Sequence, residues 1–151
     1  MKNNKTGDIL AYVGGENSGK KVAIECKFDK SIKLGDVDSL DIASNKYDTA
    51  WSQLLETTVN RGANTSIIVF DKTLADASIQ RAVDGVSYID NIGFICIIDY
   101  EASDYHNLAI AYNFARRLAL RKDGKNIEVD FINMLIQRLL KDIRDIQNIE
   151  M

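Results

Sequence analysis

Two acidic residues and one lysine lie in two neighbouring segments of the sequence that have the composition of β-strands. Segments 8–14 (DILAYVG) and 21–28 (KVAIECKF) are rich in β-branched and apolar residues, and the polar, glycine-containing stretch GENSGK separates them. This pattern predicts a β-hairpin. Because successive residues of a strand point to opposite faces, the hairpin brings Asp8, Glu25 and Lys27 to one face.

The pairing of the two strands is predicted from the position of the turn. A hairpin symmetric about residues 17–18 pairs Asp8 with Lys27 and Leu10 with Glu25. The face opposite these charged residues is then wholly apolar and carries Ile9, Ala11, Val13, Val22, Ile24 and Cys26. A slip of one residue would place core side chains opposite polar ones, so the apolar face supports this assignment of faces.

Two carboxylates and an ammonium group that lie close together can catalyse the hydrolysis of a phosphate ester. Asp8 and Glu25 can hold Mg²⁺, which uses one or two protein carboxylates and keeps waters and phosphate oxygens as its other ligands. The cation activates a water and neutralises charge on the phosphate, and Lys27 can orient or help deprotonate that water. The alternative is an ordinary half-exposed hairpin. In it the same residues only form cross-strand ion pairs, each of which contributes about 0.2–1 kcal/mol to stability.

The hairpin sequence resembles the signature of a known enzyme superfamily. GDILAYV, a glycine-rich turn and VAIECK are similar to the Asp…Glu-x-Lys signature of the PD-(D/E)xK, or restriction-endonuclease-like, nucleases. In that superfamily a helix and another strand follow the hairpin. A predicted helix over 46–61 and the strand SIIVF (66–70) occupy those places here, so the resemblance spans about residues 7–70.

The resemblance implies a role for each matching residue. Asp8 and Glu25 would be metal ligands, the backbone carbonyl of Cys26 a further ligand, and Lys27 the catalytic lysine. Gln53 weakly resembles the glutamine that some members carry on the next helix. One departure is that only seven residues precede Asp8, whereas the superfamily usually has a helix there. The chain is therefore a fragment, or the helix is supplied otherwise, or the site is degenerate.

A phosphate-binding loop is the alternative interpretation of the predicted turn. GGENSGK (14–20) satisfies G-x-x-x-x-G-K, but that motif needs a serine or threonine next and then a helix N-terminus. Lys21 stands in place of the hydroxyl residue, and the residues after it alternate as in a strand. A plain hairpin turn is favoured.

The rest of the chain alternates between predicted helices and buried strands. Apolar spacing indicates an amphipathic helix that places Trp51 in the core and ends at Gly62, after a loop over 29–45. The runs SIIVF and FICII are typical of strands buried on both faces. Further helices are predicted over 74–83, 103–122 and 126–149. The expected fold is α/β, with a mixed central sheet, an N-terminal hairpin, flanking helices and a long C-terminal helix.

The C-terminal segment 126–151 is predicted to be a helix of the same domain as residues 1–125. Its apolar residues follow a 3,4 spacing typical of a coiled-coil seam, formed by Val129, Ile132, Ile136, Leu139, Ile143 and Ile146. We expect Ile136 and Leu139 to face a second copy of the chain, while Phe131 and Leu135 dock on the domain. Docking on the domain alone is the alternative.

Composition narrows the classes of function. The 151 residues carry a net charge of −3 and two cysteines that suit buried, reduced thiols, and the apolar runs are too short for a membrane span. We therefore expect a cytoplasmic protein that does not coat nucleic acid nonspecifically. Two parts of the chain are basic although its net charge is negative. Residues 1–33 contain seven lysines, and a second cluster consists of Arg116, Arg117, Arg121, Lys122 and Lys125. The two clusters form either a directed groove or ordinary solvated faces.

Other polar residues are weaker candidates. His106 is the only histidine, which excludes sites built on a histidine pair. Asp99, Glu101 and Asp104 follow a predicted strand, where open α/β sheets often bind ligands. An Asx turn and a helix cap explain the same acidic residues and are preferred.

The sequence therefore predicts a nuclease dependent on Mg²⁺ or Mn²⁺ that acts on nucleic acid, DNA in particular. A homodimer through the C-terminal helix is expected with it, because two symmetric sites can act on both strands of a duplex. The alternative is a catalytically inactive nuclease-like domain that serves nucleic-acid binding or assembly.

Overall fold

A computed structural model describes residues 8–15, 18–28, 34, 49–89, 93–121 and 129–149. The strands are β1 (Ile9–Val13), β2 (Lys20–Lys27), β3 (Thr65–Asp71), β4 (Val86–Ile89) and β5 (Gly93–Ile98). The helices are α1 (Ala50–Arg61), α2 (Ala77–Ala82), α3 (His106–Ala119) and α4 (Val129–Ile149). Most of the loop expected over 29–45 and the expected cap Asn126 lie outside the described residues. In the described part no helix is long and apolar enough to cross a membrane.

The five strands form one mixed sheet in the order β1-β2-β3-β5-β4. β2, β3 and β5 are parallel, and the edge strands β1 and β4 run antiparallel to their neighbours. Every residue of β3 is buried, as expected for a central strand covered on both faces. The predicted α/β class, with an N-terminal hairpin, flanking helices and a long C-terminal helix, is confirmed. β4 was not predicted.

The N-terminal hairpin has the predicted faces but a different register. Ile9 pairs with Ile24, and Val13 pairs with Lys20, which is two residues away from the predicted pairing. The Ser18 hydroxyl donates to the Val13 carbonyl and closes the turn earlier than expected. Because the shift is an even number, each side chain keeps its predicted face. β2 follows the turn directly, so the favoured hairpin interpretation of the glycine-rich stretch is confirmed.

Each face of the sheet has its own core. The apolar face of the hairpin packs with α3 and α4, in a cluster that includes Val13, Val22 and Ile24. The other face packs with α1 and α2 through residues such as Leu54 and Phe70. Glu25 lies on this second face, because it pairs with Ile68, a member of the same cluster.

α1 is rotated relative to the predicted amphipathic face. Its buried residues are Ala50, Gln53, Leu54 and Thr57, whereas Leu55, expected in the core, is 38% exposed. Thr49 caps the helix and shares a reciprocal capping box with Ser52. The rotation turns two polar side chains of the helix towards the sheet.

The side chain of Trp51, which was predicted to lie in the core, is outside the described part of the protein.

The prediction for the sides of α4 is wrong for Ile136 and Phe131, whereas Leu139 is 43% exposed, as predicted for a residue that faces a partner. Ile136 is fully buried in the protein's own core and Phe131 is 51% exposed, the reverse of the expected arrangement. The Asn133 side chain fixes this rotation, since it accepts from the Tyr88 amide and donates to the Tyr88 carbonyl. It thereby satisfies the outer edge of β4, which would otherwise be open for pairing.

Candidate functional site

Asp8 is held at the open end of the hairpin by the backbone of the neighbouring strand. Its Oδ2 accepts a hydrogen bond from the Cys26 amide at 2.8 Å, so the carboxylate replaces a ladder partner just before β1 begins. The side chain is otherwise exposed. The short acidic side chain therefore terminates the ladder and keeps its charge at the surface.

Glu25 and Lys27 form an ion pair on the same face. Glu25 Oε1 lies 2.7 Å from Lys27 Nζ. Glu25 is only 5% exposed, while the Lys27 side chain is 25% exposed. The carboxylate is thus largely withdrawn from water and the ammonium group is partly accessible. The sequence predicted the shared face, but the site is more buried than a half-exposed hairpin would give.

The register brings Asp8 to the two paired residues. Continuing the observed pairing by one residue places Asp8 directly opposite Glu25. Cβ atoms of such pairs lie about 4.5–5.5 Å apart. The hairpin therefore carries two carboxylates and one ammonium group at one end, with the Asp8 carboxylate bonded to the Cys26 amide.

Cys26 takes part in the site through its backbone. Burial, helped by the negative charges of Asp8 and Glu25, raises the pKa of its thiol, so the thiol stays protonated at neutral pH. In an antiparallel ladder the N–H and C=O of a residue point towards the same neighbouring strand. The Cys26 carbonyl therefore points towards the side on which Asp8 lies.

The oxygen atoms at this end of the hairpin fit a hard divalent cation. Two carboxylates and one backbone carbonyl are the ligand types that Mg²⁺ and Mn²⁺ prefer. Among the described residues, no three His, Cys, Asp or Glu side chains come together as a metal site. A cation at the hairpin would therefore complete its coordination with water or phosphate oxygens, as Mg²⁺ commonly does.

α1 presents two buried polar atoms towards the sheet. Gln53 is 7% exposed and Thr57 is fully buried, and Gln53 Oε1 and Thr57 Oγ1 have no hydrogen-bond partner in the described part of the protein. The two residues are one helical turn apart on a helix that packs against β2 and β3. A buried hydroxyl or amide without a partner costs about 1–3 kcal/mol, so such atoms often mark the place of a bound water or ligand.

Thr57 was not singled out from the sequence. The pattern that reveals it is a threonine four residues after a glutamine, on the side of α1 that also carries Ala50 and Leu54. Gln53 was predicted, and the structure brings it to the same side of the sheet as Glu25. The two polar residues of α1 and the hairpin carboxylates therefore share one face of the sheet.

The acidic residues after β5 have local structural roles. Asp99 Oδ1 accepts from the Ala102 amide. Asp104 accepts from both the His106 amide and its imidazole ring, and these bonds lower the pKa of Asp104. Glu101 is exposed. The preferred interpretation is confirmed for the turns made by Asp99 and Asp104, but the predicted helix cap is wrong, because Tyr105 begins α3 without a side-chain cap.

Asp71 is a buried carboxylate that the sequence did not reveal. It ends β3, is 4% exposed, and accepts hydrogen bonds from the Thr73 hydroxyl, the Tyr100 amide and the Thr73 amide. The Thr73 hydroxyl above all, with the Tyr100 amide next, lowers the pKa of Asp71. The carboxylate ties the end of β3 to the loop that follows β5.

Replacing Asp71 with Asn should remove part of the pH dependence of stability. A carboxyl whose pKa is lowered on folding stabilises the protein above its unfolded pKa of about 3.9, and this contribution disappears as the pH falls through the folded pKa. We expect Asp71→Asn to cost about 2 kcal/mol at neutral pH and less at pH 3, where the contribution of the carboxylate has begun to disappear. Urea unfolding at both pH values measures this difference, and equal losses at the two pH values would contradict the assignment.

Comparisons with known proteins identify no relative of this chain. No protein-family model matches the sequence, and neither the curated proteins nor the solved structures gave a match.

Proposed function

We propose that this protein is a metal-dependent nuclease with a restriction-endonuclease-like core, which hydrolyses phosphodiester bonds of nucleic acid and of DNA in particular. The observation that carries the proposal is the Glu25–Lys27 pair beside Asp8 at one end of the hairpin. A helix and a strand follow the hairpin, in the order that the resemblance to PD-(D/E)xK nucleases implies.

In this proposal Asp8, Glu25 and the Cys26 carbonyl hold Mg²⁺ or Mn²⁺. The bound cation supplies Lewis-acid activation of water and neutralises charge on the phosphate. The buried position of Glu25 supports the proposal, because electrostatic interactions strengthen where water is excluded. Asp8 remains accessible from solvent, which leaves a path to the site for a large polyanionic substrate.

Lys27 is the residue that acts on the substrate and the water. Its ammonium group is already oriented by Glu25 at 2.7 Å and keeps further donors for a phosphate oxygen or for the attacking water. A donor held in place before the reaction stabilises charge that develops on the phosphate. Gln53 and Thr57 offer oxygen acceptors that can orient a water on the same side of the sheet.

A catalytically inactive binding or assembly module is the second candidate. The same Glu25–Lys27 ion pair favours it, since two charges that satisfy each other need no ligand. Incubating the full chain with plasmid DNA, linear duplex and single strands in Mg²⁺, Mn²⁺ or EDTA separates the candidates. The nuclease gives products only with a divalent cation. If neither cation supports cleavage of any substrate, the result favours the binding module.

We also propose a homodimer, formed by the exposed side of α4, which includes Leu139 and Ile146 of the predicted seam but not the buried Ile136. Met134, Leu139 and Ile146 are 43–57% exposed on this helix. Two antiparallel copies related by a two-fold axis near residue 140 would place Met134 opposite Ile146 and Arg138 opposite Asp142. Apolar and oppositely charged residues thus match in one register, as an isologous interface requires.

A further inference from the structure

The turn of the hairpin meets the end of α3. A Cβ atom on Gly14 would lie 2.4 Å from Leu120 Cδ2, so the side chain that follows α3 packs directly on the turn. Ala119 and Val13 are buried in the same cluster. Two segments about 100 residues apart in sequence are therefore joined at one end of the sheet.

This contact places two groups of positive charge at the same end of the sheet. We call this region the basic end, and it consists of Lys20, Lys21, Arg116, Arg117 and Arg121. α3 covers the face of the sheet that carries Val13, whereas Lys21 lies on the opposite face. The three arginines are exposed and the two lysines are partly exposed. In the sequence these residues belonged to separate lysine-rich and arginine-rich segments. Lys122 and Lys125 lie outside the described residues.

The basic end does not flank the candidate catalytic residues. Lys20 begins β2 and Lys27 ends it, and seven steps of about 3.3 Å separate them by about 23 Å. Asp71, the last residue of β3, and Asp99, which follows β5, lie at the Lys27 end. The residues of the basic end and these carboxylates therefore lie at opposite ends of the sheet.

An exposed aromatic residue lies beside Lys21 at the basic end. Tyr12 is 67% exposed, and the Lys21 ammonium group lies 5.7 Å from its ring centroid. Tyr12 pairs with Lys21 in the hairpin and shares the sheet face of Asp8 and Glu25. Aromatic rings combined with positive charge are typical of surfaces that follow a nucleic-acid strand.

We propose that the basic end binds the phosphate backbone of a DNA duplex at a distance from the bond that is cut. This inference rests on the proposed nuclease function and adds the direction in which the substrate lies. Phosphates of one strand are spaced about 3.4 Å apart along the duplex axis, so about 23 Å corresponds to about seven base pairs. The exposed carboxylates at the Lys27 end repel the backbone except where a cation neutralises them, so we expect the duplex to be anchored mainly at the basic end.

The test removes the arginines of the basic end. The variant Arg116→Ala/Arg117→Ala/Arg121→Ala is compared with Arg81→Ala/Lys141→Ala, which removes exposed positive charges elsewhere. Both are made in the Glu25→Gln background, so that bound DNA is not cut. The probe is a fluorescent DNA duplex three helical turns long, and anisotropy gives its affinity at several salt concentrations. Circular dichroism confirms that each variant is folded.

We expect the arginine variant to bind at least about tenfold more weakly, and the slope of log K against log salt to fall by about 0.9 for each phosphate that the variant no longer neutralises. The control should stay within about twofold of its parent. A second variant, Lys20→Ala/Lys21→Ala, should weaken binding in the same direction. Because the charged groups are exposed, these changes leave the core intact.

Equal affinity of the arginine variant and the control would overturn the proposal, and so would a parent protein that does not bind the duplex. The proposed nuclease function fails separately. Binding that depends on the basic end, together with no cleavage by the wild type in Mg²⁺ or Mn²⁺, would support the binding surface and reject the enzyme.

Discussion

Replacement of Glu25 by Gln should lower cation-dependent DNA cleavage by about 10²–10³-fold or more. The substitution keeps the size of a side chain that is only 5% exposed, but it removes one of the two negative charges proposed to hold the cation. It also removes the charge that orients the Lys27 ammonium group. Initial rates of cleavage in Mg²⁺, measured on the same DNA as for the wild type, give the effect.

The matched control is Glu56→Gln, which makes the same chemical change on the neighbouring helix α1. Glu56 is half-buried and has no place in the proposed site, so its rate should stay within about twofold of the wild type. Should Glu25→Gln fail to fold, Asp8→Asn provides the same test at an exposed ligand. Wild-type rates in both Glu25→Gln and Asp8→Asn would reject the proposed chemistry.

Replacement of Ile136 by Ala should destabilise the protein by about 2–5 kcal/mol. Ile136 is fully buried among core residues contributed by the sheet and α3, so the shorter side chain leaves a cavity that the surroundings fill only in part. Leu139→Ala is the matched control on the same helix. Leu139 is 43% exposed in the single chain, so at a protein concentration low enough to keep the chain monomeric its truncation should cost less than about 1 kcal/mol. Urea unfolding measures both.

The same pair of positions tests the proposed dimer. If the exposed side of α4 binds a second copy, Leu139→Glu should sediment as a folded monomer while the wild type sediments as a dimer. If, in the monomer, Ile136→Ala lowered the free energy of unfolding only slightly and Leu139→Ala lowered it strongly, the assigned rotation of α4 would be wrong. A wild type that is monomeric at high concentration would reject the dimer and leave the rotation unaffected.

The faces of the hairpin were predictable, whereas its register was not. Apolar alternation in both strands distinguishes the two faces because a shift of one residue would reverse them. A shift of two residues leaves the alternation unchanged, and the turn then decides the pairing. Ser18, which bonds the Val13 carbonyl, sets that turn, and its hydroxyl carries no such signal in the sequence.

Features that depend on distant contacts were missed or misjudged. β4 has only four residues, and its outer edge is satisfied by Asn133, 45 positions further along the chain than Tyr88. The same contact rotates α4, so a helix that is apolar over a wide arc could not be oriented from its own pattern. The basic end similarly exists only because α3 ends on the hairpin turn.

The candidate site was predicted in its residues and less well in its environment. The types and spacing of Asp8, Glu25 and Lys27 identified the cluster, and strand alternation brought the three to one face. Glu25 is buried on the sheet face that α1 and α2 cover, and the rotation of α1 turns Thr57 towards the same face. That rotation reflects packing against β2 and β3, which the local helix pattern does not encode.

The central claim is that the hairpin holds a divalent cation, and the most direct test is to locate Mn²⁺ by NMR. Mn²⁺ suits the same oxygen ligands as Mg²⁺, and its unpaired electrons broaden the signals of nearby amides. We expect broadening centred on Asp8 and on residues 25–27, which disappears in the Asp8→Asn/Glu25→Gln variant. Broadening centred instead on Asp99 and Asp104, or no localised broadening at all, would contradict the claim.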